Sequence, residues 1–375
     1  MGTLWFWIVA LMLTAYVVLD GFDLGIGAIY LWIARTEPER SQALSAIGPV
    51  WDGNEVWLVA AAGTLFFAFP LLYARAFSGF YLPLMIVLWL LILRGISIEL
   101  RERFSDPIWR PFFDGLFCFA SVLLAIFFGA ALGNIIRGVP IGPDGYFFVP
   151  LWTNFRPGNT PGLLDWYTVL GGVLALIALS LHGALYLALK TRGSIEQRAV
   201  EFAKKAWGAT VALTAIGVPA TILARQTTLS HYLRHPTAFA FPLMATVCLA
   251  SVRINLSRGS KLQGFLASCG YLSSMFLGAA FGLFPVILPA VGTRGGDLTV
   301  DQALSSPHTL RVGLIWWSVG ICLAMLYFGI VYRLFRGKVP IADEGYERRL
   351  SPRVSESSDS RVAVEVNSVR CGKCR

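Results

Sequence analysis

Long apolar runs parted by short polar connections set the plan of this chain. About nine runs reach spanning length, for which roughly 20 residues suffice. Their approximate bounds are 4–33, 54–74, 77–99, 113–136, 163–189, 205–225, 237–254, 263–290 and 310–334. The expected fold is therefore an all-α polytopic membrane protein with about nine transmembrane helices. Only Ala74–Arg75–Ala76 separates the second run from the third, which predicts a tight antiparallel pair. Pro285 and Pro289 predict a kink near the outer end of the eighth run. From Val339 onward the chain turns Ser-, Glu- and Arg-rich. That change predicts a membrane domain over 1–338 and a disordered cytoplasmic tail over 339–375.

Composition agrees with the pattern. Of 375 residues, 56% are hydrophobic and only 14% charged, where a soluble protein carries about 25% charge. The first run is too long and too acidic for a cleaved signal peptide. A net charge of +9 would raise nucleic acid as a partner in a soluble protein, but in a membrane protein its placement matters first. With the N-terminus outside, cytoplasmic connections hold 16 Lys and Arg against 7 in external ones. The expected orientation is thus N-terminus outside and C-terminus in the cytoplasm, with no nucleic-acid partner.

Polar residues inside the runs carry the chemistry. Asp20 and Asp23 lie deep in the first run, three apart and so on one helix face. At 1.5 Å per residue Asp23 stands roughly 18 Å before the anchor Arg35, near mid-bilayer or slightly to the cytoplasmic side. Asp52 and Glu55 open the second run, where the helix dipole also favours acids and a mere capping cluster is the plainer account. A charge at mid-bilayer costs roughly 2.5–3.5 kcal/mol on insertion scales, so packing alone is a poor reason to keep Asp20 and Asp23. Gly21 and Gly25 form a small-xxx-small pair that lets another helix approach closely. Arg94 in the third run falls at similar depth and needs a partner among Asp20, Asp23 and Glu99. It forms either a purely structural ion pair or part of a proton relay.

Other polar positions offer less. His182 alone among four histidines sits mid-helix, as an axial haem ligand, a proton relay, or a side chain bonded to a neighbouring helix. Cys118, Cys248, Cys269 and Cys322 lie in apolar runs and read as buried free thiols. Cys371 and Cys374 form a CxxC near the chain's end, two ligands where structural zinc takes four. The 137–162 connection, rich in Gly and Pro with Tyr146, Phe147, Phe148 and Trp152, predicts an ordered interfacial loop. There is no P-loop, zinc-hydrolase motif or dinucleotide glycine fingerprint.

The segments Asp20–Gly21–Phe22–Asp23–Leu24–Gly25–Ile26–Gly27 and Pro49–Val50–Trp51–Asp52–Gly53–Asn54–Glu55–Val56–Trp57 resemble subunit II of the cytochrome bd-type quinol oxidases. The resemblance continues at 76–81, 128–134 and 284–289 and covers about 5–335. It implies two four-helix bundles plus one peripheral helix in a bacterial inner membrane. It also implies a heterodimer with a subunit I that bears haems b and d, together oxidising quinol and reducing dioxygen with cytoplasmic protons. Carboxylates matching Asp23 and Asp52 are assigned to proton uptake in that family; Asp20, Glu55 and Arg94 join them here by depth and facing. Trp51 and Trp57 are secondary candidates for contact with a cofactor or the partner. Small single-helix subunits and a structural quinone on subunit II are features of some members that no motif here settles. The expected function is a proton-conducting, haem-supporting subunit, with no metal bound by this chain. The rival is a proton-coupled secondary transporter, which also relays protons through buried acids.

Overall fold

A computed structural model describes residues 1–103, 107–158, 160–292 and 295–340. Four long helices form a first group: α1 (Gly2–Ile33), α3 (Trp51–Ala68), α5 (Tyr81–Leu100) and α6 (Trp109–Arg137). Four more form a second: α7 (Trp166–Lys190), α8 (Ser194–Ala224), α10 (Ala240–Arg258) and α11 (Lys261–Leu283). The groups meet where α7 packs on α1 and α6. The last helix, α13 (Pro307–Leu334), packs chiefly against α3 and is otherwise peripheral. Short helices α2 (Glu37–Ile47), α4 (Pro70–Gly79), α9 (Gln226–Arg234) and α12 (Val300–Ala303) complete the set. Among the described residues eight helices are long and apolar enough to cross a membrane. The 18-residue α3 reaches about 27 Å at 1.5 Å per residue and packs along α1.

Two expectations need correction, both because proline stops a helix. Run 54–74 is not one span. Helix α3 ends at Ala68, Phe69 leaves helical geometry (φ −131°, ψ 62°), and Pro70 opens α4 as a separate 10-residue element. A proline lacks the N–H that would continue α3, yet suits a first turn. The expected tight pair is therefore two helices, α3 and α5, with α4 between them, and each packs mainly elsewhere, α3 on α1 and α5 on α6. Run 263–290 is likewise cut short: α11 stops at Leu283 instead of kinking. Val286–Leu288 then pairs as strand β1 with Leu298–Thr299, β2, antiparallel.

The helices cross where side chains are smallest. A Cβ on Gly25 would collide with the Leu179 carbonyl, and one on Gly183 with the Gly25 backbone, so α1 and α7 touch backbone to backbone. The expected interfacial loop 137–162, residue 159 aside, is tied down at its ends by side-chain contacts. Buried Asp165 caps α7 by accepting from Tyr167 N and Thr168 N, both 2.9 Å, and pairs with buried Arg137. Phe147 is buried against Phe80, whereas Tyr146, Phe148 and Trp152 stay exposed.

At the opposite end, α2 is stitched to its neighbours by ions. Buried Asp114 accepts from Tyr30 Oη at 2.8 Å, Arg40 Nη1 at 3.0 Å and Arg101 Nε at 2.5 Å. Glu39 completes a capping box with Thr36 and accepts from Ser194 Oγ at 2.5 Å and from Arg198. Partial burial is the largest influence on Glu39 and would raise its pKa. The hydrogen bonds from Ser194, Arg35 N, Thr36 N and Arg198 together outweigh it and hold the carboxyl down at about 2, from an ordinary 4.5. A depressed folded-state value means this tether is in full force above pH 4.5 and fades as pH falls to about 2. Hydrogen exchange of α2 amides, corrected for the intrinsic pH dependence of amide exchange, is expected to quicken through that window in the native chain. In Glu39→Gln it should be fast throughout and lose that dependence on tether ionisation.

Val339, which opens the expected tail, is held: its N donates to Lys190 O at 2.7 Å, and its O accepts from Gln42 Nε2 at 3.0 Å. From residue 341 the expected tail, with Cys371 and Cys374, lies outside the described residues.

Candidate functional site

The first turn of α3 meets the middle of α1, and α5 closes the third side. Asp20 faces α5 and takes Arg94 in a two-point pair, Nη1 to Oδ2 at 2.8 Å and Nη2 to Oδ1. Both side chains have zero solvent exposure. The choice among Asp20, Asp23 and Glu99 thus falls on Asp20, and Glu99 is exposed. A bidentate guanidinium–carboxylate pair is the geometry in which burial of two charges is best compensated.

Asp23, one turn further on, is also fully buried but faces α3. Its Oδ2 accepts from Asn54 Nδ2 at 2.8 Å, while Oδ1 has no hydrogen-bond partner among the described residues. Asn54 Nδ2 also reaches Leu19 O at 3.2 Å, and Asn54 Oδ1 accepts from Tyr332 Oη at 2.9 Å. Glu55 is half-buried beside this group, within electrostatic reach of Arg94, Asp20 and Asp52. Asp52 itself is exposed in the first turn of α3. The structure therefore brings Asp20, Asp23, Glu55 and Arg94 together and leaves Asp52 exposed at the rim of the group. Trp51 and Trp57 are buried within the chain, Trp51 near Gly95 and Trp57 against Phe328 at 5.6 Å between ring centroids.

His182 has both ring nitrogens engaged, Nδ1 with Ser268 Oγ at 2.7 Å and Nε2 with Val18 O at 2.9 Å. Its ring stacks on Phe265. Of its three readings, the structure shows the hydrogen-bonded neighbour contact; its nitrogens do not fit a haem iron without giving up these partners. Among the described residues no group of three or more His, Cys, Asp or Glu is placed to hold a metal ion.

Sequence reasoning did not single out Asn54, Tyr332 or the Asp114–Arg101 pair. Asp114 lies inside the fourth apolar run, and that placement was the available signal. Asn54 and Tyr332 lie 278 positions apart, and neither residue type stands out in its own segment.

Fold and site together define a polytopic helical membrane protein with a buried ion pair and a separate buried carboxyl where three spans meet. The cytochrome bd terminal oxidase subunit II description matches residues 1–335. The chain belongs to that family, and through it to the oxidoreductases of the respiratory chain and to multi-pass inner-membrane proteins. It is 28% identical to cytochrome bd-I ubiquinol oxidase subunit 2 of Escherichia coli K12, covering 91% of this chain and 95% of that one. It is 31% identical to cytochrome bd ubiquinol oxidase subunit 2 of Bacillus subtilis 168, covering 82% and 88%. The bd oxidase structure from Geobacillus thermodenitrificans superposes with a TM-score of 0.72 at 14% identity, over 89% of this chain and 98% of that one. That structural likeness speaks for the fold. Membership implies a partner subunit I and haem in the assembled complex.

Proposed function

We propose that this chain delivers protons to a haem-bearing subunit I within a quinol:oxygen oxidoreductase. The observation that carries it is a graded sequence of acids: Asp52 exposed, Glu55 half-buried, Asp23 buried with one oxygen unengaged. Protons enter at Asp52 from the face that carries α2, which we assign to the cytoplasm from the basic excess there. They pass Glu55 and reach Asp23. Asp20 is committed to Arg94, so its part is to balance the guanidinium's charge beside the path; Asp23 is the group left able to gain and lose a proton. Arg94 in turn lies within electrostatic reach of Asp23 and Glu55, keeping a run of acids tolerable in a low-dielectric setting.

Haems b and d and the chemistry of dioxygen belong, in this account, to the partner. When bound there, the haems would pass electrons from quinol to dioxygen and provide the oxygen-binding iron. This chain contributes proton supply and a packing surface, and a quinone or single-helix subunits bound to it are not needed for either. A secondary transporter would place its site between inverted repeats around broken mid-membrane helices. The breaks here, at Phe69–Pro70 and Phe284–Pro285, fall at the far end from α2, away from the acids.

The test uses the complete complex. Asp23→Asn is expected to lower quinol oxidase turnover by about a hundredfold, the low end of what a positioned proton carrier supplies, with haem content unchanged. Asp52→Asn, at the hydrated rim where water substitutes, is expected to cost only about tenfold or less on the same scale. Wild-type turnover in both variants would overturn the proposal. Loss of haem with loss of turnover would assign these acids to assembly instead.

A further inference from the structure

We infer that Tyr332, on the peripheral helix α13, is a positioning residue that, together with the Leu19 carbonyl, fixes which oxygen of Asp23 carries the mobile proton; this deepens the delivery role and rests on it. The argument is one of donors and acceptors. The Leu19 carbonyl can only accept, so the Asn54 atom 3.2 Å from it is the amide nitrogen. The Asn54 carbonyl oxygen must then face the Tyr332 hydroxyl, 2.9 Å away, and that hydroxyl donates. With both ends of the amide assigned, its N–H is presented to Asp23 Oδ2 at 2.8 Å. Oδ2 is thereby held as an acceptor in either protonation state, since a proton placed there would oppose the N–H. The proton that Asp23 gains and loses sits on Oδ1, the oxygen with no partner among the described residues. Turning the amide over would set its carbonyl against the Leu19 carbonyl and the Asp23 carboxylate at once.

The Tyr332 hydroxyl is what holds the carbonyl end. The ring is half-buried and packs near Phe328, centroids 6.3 Å apart. Phe328 also touches Trp57, and Gly53 leaves room for Tyr327 and Phe328 against the first turn of α3. A helix peripheral to both bundles thus reaches a carboxyl on α1 through one side-chain amide. Sequence distance hides this link, and so does the ordinary look of a tyrosine near a helix end.

Tyr332→Phe in the complete complex keeps the ring and removes only the hydroxyl. Turnover is expected to fall about fivefold, the worth of one typical hydrogen bond, with the KM for quinol unchanged. The Asp23 carboxyl band in redox-difference infrared spectra, assigned by its loss in Asp23→Asn, is expected to shift. Asn54→Ala should shift the same band, and Tyr332→Phe added to it should change nothing further, because Tyr332 acts only through Asn54. A purely structural role would leave the band in place. An unmoved band with wild-type turnover in Tyr332→Phe, or additive effects in the double variant, would overturn the inference. Full turnover in Asp23→Asn would instead defeat the delivery role, while the band shift still decides whether Tyr332 orients Asp23.

Discussion

Arg94→Met is expected to cost the complex about 3–5 kcal/mol, the usual loss when one member of a buried ion pair is removed, and to abolish recovery of haem-loaded enzyme. Asp20 would be left as an uncompensated charge with zero exposure, with Glu55 as a further acid nearby. Asp20→Asn combined with Arg94→Met removes both charges and should recover part of the lost stability, since no buried charge remains and only the smaller cost of burying the Asn amide is left. The measurement is the yield and thermal midpoint of the purified complex for both single variants and the double. A stable Arg94→Met complex would mean that the guanidinium is not compensating Asp20. In the recovered double variant, turnover then reports whether the pair's charges serve the proton path or only the fold.

The second large effect is steric. Gly25→Ala places a methyl group into the Leu179 carbonyl oxygen and 2.9 Å from Gly183 N. Neither is the end of a flexible side chain, so relief requires α1 and α7 to separate. Overpacking of a core typically costs about 1–3 kcal/mol, and a backbone-to-backbone crossing leaves the least room to relax. Because α1 carries Asp20 and Asp23, the displacement would disturb the site as well as the bundle interface. Gly320→Ala on α13, where an added Cβ meets nothing within 4 Å, should be silent. Equal thermal midpoints for Gly25→Ala and Gly320→Ala would show that the crossing tolerates a side chain.

Hydrophobic runs gave away most of the architecture because in lipid a helix must be long and apolar, and the chain has few other ways to be so. Gly21 and Gly25 announced a close helix contact, and the structure supplies α7 as the neighbour. Charges in apolar runs announced the site, since each needs a partner, and Arg94 found Asp20. The failures have a common cause. Hydropathy averages over a window and ignores the backbone N–H, so it carried the second run through Pro70 and the eighth through Pro285. Asp52, expected at the opening of the second run, is exposed in the first turn of α3. Asn54 and Tyr332 were illegible for another reason: an amide and a phenol cost little in a helix end, and only the folded distance between α3 and α13 makes them a pair.

Proton uptake measured directly is the most searching test. With the complete complex oriented in sealed vesicles, a pH dye on the α2-bearing side follows uptake during a single turnover with oxygen. Uptake is predicted from that side, slowed about a hundredfold in Asp23→Asn in line with loss of a positioned proton carrier, while haem reduction by quinol keeps its native rate. Uptake at the native rate in Asp23→Asn, or uptake from the opposite side in the unaltered complex, would contradict the account.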